Sequence, residues 1–387
     1  MKVIPYARQH IDKTDIEAVI DALTSDWLSQ GPVIERFEKT VAEYCGARYA
    51  VAVNSATSAL HMACLAAGLG EGDLLWTSPN TFVASANCAL YCGAKVDFVD
   101  IDNATYNMGV EALRKKLDRA AASNGLPKVI IPVHFSGQSC DMEQIRRLTQ
   151  EYGITLIEDA SHAIGGKYKG ELIGNCRYSE MTVFSFHPVK IVTTGEGGMI
   201  VTNNEALYRK LQLLRSHGIT RDPLQMTEAP HGPWYYQQIG LGYNYRITDI
   251  QAALGVSQMS RIDSFIARRH EIAQRYDDCL KGLPLTLPYQ HSDTYSAYHL
   301  YVIRLQLDKI KLTHREVFEK LRAAGIGVNL HYIPVHLQPY YKELGFNPGD
   351  FPHAEQYYTE AISMPMYYAL TPEEQEVVIA RLTEVLT

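Results

Sequence analysis

Thr182-Val-Phe-Ser-Phe-His-Pro-Val-Lys190 begins as an apolar run and ends on a lysine, and upstream Ile154-Thr-Leu-Ile-Glu-Asp159 ends the same way on a carboxylate. Short apolar runs of this kind, bounded by polar residues, read as buried strands. Side chains at their ends therefore reach one edge of a sheet, the edge where open α/β sheets bind ligands. An amine and a carboxylate meeting there suit pyridoxal phosphate (PLP). The lysine binds the cofactor aldehyde covalently, and the carboxylate keeps the ring nitrogen protonated so that the ring draws electrons. A lysine by itself decides nothing, because most lysines are solvated surface charges.

The surroundings of Lys190 add weight. Ser185 and His187 share its stretch, and Thr193-Thr-Gly-Glu-Gly-Gly198 precedes a new apolar run, Met199-Ile-Val-Thr202. The glycines allow a tight reversal, and taken alone they describe a plain turn between strands. They form no dinucleotide loop, since no G-x-G-x-x-G opens a helix here, and no Walker loop is present. Upstream, Val51-Ala-Val-Asn-Ser-Ala-Thr-Ser-Ala-Leu60 reads as a strand, a polar turn and a helix start. The free N–H groups of such a terminus, with the helix dipole, make an anion site able to seat a phosphate. An ordinary N-cap would use the same residues.

Apolar runs alternate with helical stretches through the first two thirds of the chain. Val51-Ala-Val53, Leu74-Leu-Trp-Thr77, Lys95-Val-Asp-Phe-Val99, Lys128-Val-Ile-Ile-Pro-Val133, Thr155-Leu-Ile157 and Thr182-Val-Phe-Ser185 are the strand candidates. Asp141–Leu148 and Ala84–Leu90 are helix candidates between them. This alternation predicts an α/β fold with a mostly parallel sheet. Asp222–Pro233 contains three prolines and reads as a loop, followed by a helix from Ile250. We place the lobe boundary there, with a large domain over 1–250 and a smaller C-terminal α+β domain over 251–387.

At 387 residues the chain suits two lobes rather than one core. A net charge of −7 with 20% charged residues offers no basic footprint for nucleic acid. No apolar run reaches the roughly eighteen residues of a membrane span, and Met1-Lys-Val-Ile-Pro-Tyr6 has no signal-type apolar region. The seven cysteines are scattered; Cys88 and Cys92, at helical spacing in an alanine-rich stretch, suit packing better than a metal. A reduced, cytoplasmic protein without a metal site is expected.

Four segments together, Asn54-Ser-Ala-Thr-Ser-Ala59, Glu158-Asp-Ala-Ser-His162, Phe184–Lys190 and Gly242-Tyr-Asn-Tyr-Arg246, resemble the sugar-nucleotide aminotransferases of fold type I. Val133-His-Phe-Ser-Gly-Gln138, Gly195-Glu-Gly-Gly-Met199, Arg215–Arg221 and Ser296-Ala-Tyr-His-Leu-Tyr301 are similar to the PseC-type branch, which serves pseudaminic acid synthesis. The resemblance runs from Tyr6 to about Met364. It implies that Lys190 carries the cofactor and moves the proton, that Asp159 pairs with the ring nitrogen and that His162 meets the ring hydroxyl side. Ala56 and Thr57 by backbone and Ser185 by hydroxyl would take the phosphate, and Phe82 would stack on the ring, although a core phenylalanine reads almost as well. Asn244 would reach the phosphate of the neighbouring subunit, making a homodimer with shared sites.

Substrate contacts implied by the resemblance are Tyr6, Asp26, Trp27, Leu28, Ser29 and the Asn329-Leu330-His331-Tyr332 stretch, together with Ala56, Ser185 and Asn244. For Asn329–Tyr332, a strand edge stopped by Pro334 is an equal reading. The implied reaction passes an amino group from L-glutamate to a UDP-linked 4-keto-6-deoxy amino sugar. Two alternatives stay open: a perosamine-type enzyme acting on a GDP sugar, and a non-catalytic sugar-nucleotide regulator. Dehydratases of this fold carry histidine at the lysine position, and Lys190 is present here.

Overall fold

The computed structural model describes residues 3–123 and 125–387. Among these, seven strands form the main sheet: β1 (Tyr49–Val53), β2 (Leu74–Thr77), β3 (Lys95–Phe98), β4 (Val129–Ile131), β5 (Thr155–Asp159), β6 (Met181–Ser185) and β7 (Gly198–Thr202). Their order across the sheet is β1-β7-β6-β5-β4-β2-β3. All neighbours pair in parallel except β7, which runs antiparallel to both β1 and β6. The expected mostly parallel sheet is therefore present, with one reversed strand after the glycine turn.

Both faces are covered, which is why these strands read as continuous apolar runs rather than alternating ones. The alternation appears instead in which core each residue joins. Helices α1 (Lys13–Leu23) and α2 (Pro32–Cys45) precede β1. Val51, Val53, Val183 and Ile200 pack on the side of helices α3 (Ala56–Ala66) and α4 (Ala84–Tyr91), whereas Ala50, Ala52, Phe184, Met199 and Val201 pack on the other side with Phe37 and Phe265. The strand expected to lead to Lys190 stops at Ser185. Pro188 lacks the N–H that a continuing ladder needs, and the chain turns there, with Lys190 N–H bonded to His187 O at 2.9 Å.

A second sheet of three antiparallel strands, Leu285–Thr286, Tyr301–Leu305 and Ala361–Met364, lies in the C-terminal part of the chain. Helices Ile262–Leu280, His314–Ala323 and Pro372–Leu386 cover it through Tyr276, Val317, Leu321, Val378 and Leu382. The helix read from Ile250 spans Asp249–Met259, opened by a Thr248–Gln251 capping box. The two sheets are joined next to the carboxyl edge of the first. Ala297 N–H bonds to Gly137 O at 2.9 Å, Leu300 N–H to Ser136 O at 3.2 Å and Ser136 Oγ to Leu300 O at 2.7 Å. Only glycine fits at 137, because a Cβ would lie 2.8 Å from Tyr298 N, and its φ is +107°.

Within the described residues, no helix is long and apolar enough to cross a membrane, and no group of three or more metal-ligating side chains is placed to hold an ion. All seven cysteines are free thiols, and Cys88 is buried against the first core as packing predicts.

Candidate active site

β5 and β6 run parallel and adjacent, with Asp159 beside Val183. Asp159 and the Lys190 turn consequently emerge at one sheet edge, into a cavity of about 790 Å³. That volume is in the range of small-molecule sites. Strand alternation sends the preceding residue the other way: Glu158 is buried against His134 Nε2 (2.6 Å) and the Ser179 hydroxyl (2.5 Å). Asp159 is 5% exposed and its carboxylate accepts two hydrogen bonds, from Ser85 Oγ at 2.6 Å and from Ser161 N–H at 3.1 Å. Burial pushes the Lys190 amine down to about 8, against the pull of the Asp159 charge. A lysine so placed is partly neutral near physiological pH and hence nucleophilic.

The α3 N-terminus forms the opposite wall. Ser55 caps it by accepting from Ser58 N–H at 3.1 Å, and Ser58 Oγ donates to Asn54 Oδ1 at 2.7 Å. Ala56, Thr57 and Ser185 all line the cavity. The start of β7 presses on this terminus so closely that a Cβ at Gly198 would lie 2.5 Å from the Ser55 carbonyl carbon and 2.6 Å from Ala56 N. These residues fit PLP: an amine for the aldehyde, a buried carboxylate for the ring nitrogen, and a helix terminus for the phosphate. Phe82 is 58% exposed at the cavity wall, which excludes its reading as a core phenylalanine.

The N-terminal segment adds Tyr6, and the C-terminal part of the chain adds His299, His331 and Tyr332, to the wall. Tyr6 is brought there by a strap in which Ile4 N–H bonds to Gly325 O and Gly327 N–H to Ile4 O, and its ring stands 5.4 Å from that of His331. His331 Nδ1 lies 2.8 Å from Ser363 Oγ. His162 Nδ1 accepts from Ser136 N–H at 3.3 Å, so its proton sits on Nε2, 3.1 Å from the Tyr332 hydroxyl. Burial first, then the Lys190 charge, hold His162 far below the usual imidazole range and His331 at about 4, so both rings are neutral.

The cavity thus gathers Lys190, Asp159, His162, Ser185, Ala56, Thr57, Phe82, Tyr6, His331 and Tyr332. Asn329 and Leu330 are not in its wall; Asn329 makes an antiparallel bridge to Ser363, as the strand-edge reading had it. Asp26, Trp27, Leu28, Ser29 and Asn244 are exposed and outside the cavity of their own chain. Two residues escaped the sequence reading. Ser85 was visible only as one polar residue in an alanine-rich helix, and His299 only as part of a resemblance motif.

Comparison with known proteins agrees with this geometry. The chain is 39% identical over 386 residues to the Bacillus subtilis spore coat polysaccharide biosynthesis protein SpsC, covering 99% of this chain and 97% of that protein. It is 38% identical over 385 residues to a Campylobacter jejuni UDP-4-amino-4,6-dideoxy-N-acetyl-beta-L-altrosamine transaminase, covering 99% and 98%. Its structure matches that of Helicobacter pylori PseC, an aminotransferase of pseudaminic acid biosynthesis, with a TM-score of 0.90 at 30% identity over 100% of this chain and 99% of that one. Residues 9–383 match one family profile, a family of PLP-dependent enzymes, and the chain belongs to it: the DegT/DnrJ/EryC1/StrS aminotransferase family.

Proposed function

We propose that this chain moves the amino group of L-glutamate to C4 of UDP-2-acetamido-2,6-dideoxy-β-L-arabino-hex-4-ulose, giving UDP-4-amino-4,6-dideoxy-N-acetyl-β-L-altrosamine. One observation carries the reading: the Lys190 amine and the Asp159 carboxylate share a cavity with the α3 N-terminus. The sugar is taken from the named activity of the Campylobacter relative. PLP, when bound, supplies a ring that withdraws electrons from the substrate carbon and carries the amino group between the two half-reactions.

The chain's own residues do the rest. Lys190 Nζ takes the proton from the glutamate α-carbon and later delivers one to C4 of the sugar. Asp159 holds the proton on the ring nitrogen. The Ala56 and Thr57 N–H groups and the Ser185 hydroxyl receive the phosphate, Phe82 covers a ring face, and His162 donates to the ring hydroxyl side. We assign Tyr6, His331 and Tyr332, the three of that set in the cavity wall, to the sugar nucleotide, and leave Asn329 and Leu330 as the strand edge that positions them. Asp26–Ser29 and Asn244 serve the partner's site in a cytoplasmic homodimer built from lobes 1–250 and 251–387. Exposed apolar side chains around Asn244 support that pairing: Trp234 is 71% exposed and Leu241 79%.

The test supplies the purified protein with the UDP-linked 4-keto sugar and L-glutamate and reads the 4-amino sugar by mass spectrometry. Preferential amination of a GDP-linked 4-keto sugar overturns the substrate assignment. A protein that binds sugar nucleotide without amination and without absorbance near ~400 nm, the aldehyde-bound cofactor band, is a regulator.

A further inference from the structure

The cavity must accept two unlike molecules in turn, a dicarboxylic amino acid and a sugar nucleotide. Yet among the described residues its wall contains no arginine, and its one lysine is Lys190, which the cofactor engages. Within this chain, a carboxylate entering the site needs other donors. His299 provides one that no hydrogen bond inside the chain uses.

His299 enters from the second lobe beside the Gly137 crossing, is 2% exposed, and its ring centroid lies 4.3 Å from that of His162. Its Nδ1 is enclosed and has no partner. A proton there would be a buried donor with nothing to receive it, so the proton belongs on Nε2. Nε2 also lacks a partner but is not enclosed, and the residue lines the cavity, so the N–H opens into it. Behind the ring, Arg269 is buried and clamps the local backbone by donating to the carbonyls of Tyr298 (2.9 Å), His299 (3.3 Å) and Met366 (3.2 Å). Burial, His162, Lys190 and Arg269 together hold the His299 imidazole far below its usual range, which keeps it a neutral donor.

We propose that His299 is a specificity residue for the amino donor, its Nε2–H donating to a carboxylate oxygen of the dicarboxylic acid in the first half-reaction and to a sugar hydroxyl oxygen in the second. A buried arginine would bind the acid more tightly but would stand unpaired against a neutral sugar, at high cost. A neutral imidazole N–H serves either occupant, and a fixed donor requires no reorganisation when they exchange.

The inference rests on the proposed transamination, and the first half-reaction isolates it from the sugar. The probe is L-glutamate alone, titrated into the PLP-loaded enzyme while the band near ~400 nm is followed. His299→Phe keeps a ring against His162 and removes the donor, so half-saturation by glutamate should rise about 10- to 100-fold, the loss of one charge-assisted bond. His299→Gln, whose amide reaches the place of Nε2, should recover most of it. Cofactor affinity and the pH titration of the resting band should stay within about twofold, a range below the smallest such bond. Should the Phe variant not fold, His299→Ala replaces it, compared with Gln in the same way. Unchanged glutamate affinity overturns the proposal, and a displaced band titration with unchanged glutamate affinity does so by putting His299 on the cofactor. A parent enzyme whose band ignores glutamate refutes the donor assignment itself, a result distinct from a silent variant.

Discussion

Replacing Lys190 by methionine should stabilise the cofactor-free enzyme, although the same change abolishes its catalysis. The amine titrates at about 8 in the folded chain against a reference of 10.5, because burial opposes its charge more than Asp159 favours it. Each unit is worth ~1.36 kcal/mol, so the charged form costs the native state about 3 kcal/mol before screening. The side chain is partly open to the cavity, and solvent there reduces the figure to about 2 kcal/mol. Below pH 8 the lysine is protonated in both states and the full cost applies. Between 8 and 10.5 the native state gives up its proton first, the unfolded state binds more protons, and stability rises with pH. Above 10.5 the cost is gone. Calorimetry of stripped protein should therefore show Lys190→Met melting ~2–3 °C above the parent at pH 7, for an unfolding entropy of about 0.8 kcal/mol/K. The gap should close by about pH 10.5, and taking differences at each pH cancels the other titrating groups. A parent as stable as the variant at pH 7, or a gap that widens with pH, refutes the reasoning.

Ser85→Ala removes the 2.6 Å bond to Asp159 Oδ2, and kcat should fall about 10- to 100-fold with the melting temperature little changed; a rate within twofold of the parent would show that the carboxylate needs no second holder. Gly198→Ala should displace the α3 N-terminus and weaken PLP retention at least tenfold on dialysis, since the new Cβ meets backbone that cannot give way. Mixing Lys190→Ala with Asn244→Ala chains should restore activity toward half of the parent per dimer, because one site of each heterodimer then carries both lesions and the other none; confirmed heterodimers without recovery exclude shared sites. A hydrogen bond from the Cys64 thiol and the neighbouring His61 hold the Cys92 thiol below its usual range. Iodoacetamide at neutral pH should therefore label Cys92 ahead of the more exposed Cys279, as read by peptide mapping.

The sheet was legible because burial on both faces leaves long apolar runs, and Leu74–Thr77 was bounded to the residue. The reversal of β7 was not, since a glycine turn permits either direction. Lys190 and Asp159 could be paired from sequence because parallel strands deliver their ends to one edge. Ser85 and His299 could not. Each reaches the site from a different element, and the contact that gives it meaning, at separations of 74 residues (Ser85 to Asp159) and more, is made only by folding. Trp27 and Asn244 show the opposite limit: a motif names them, while their own chain leaves them facing outward.

The crossing of residues 136–137 with 297–300 has a kinetic side. Enzymes that exchange unlike substrates often open by swinging one lobe from the other. Here the parts of the chain that carry the two sheets are stitched by backbone hydrogen bonds immediately behind His162, and a swing about this crossing would have to break them and expose buried carbonyls. On the proposed reaction, exchange of the two occupants should therefore fall to side chains and loops at the rim, above a floor held by this crossing.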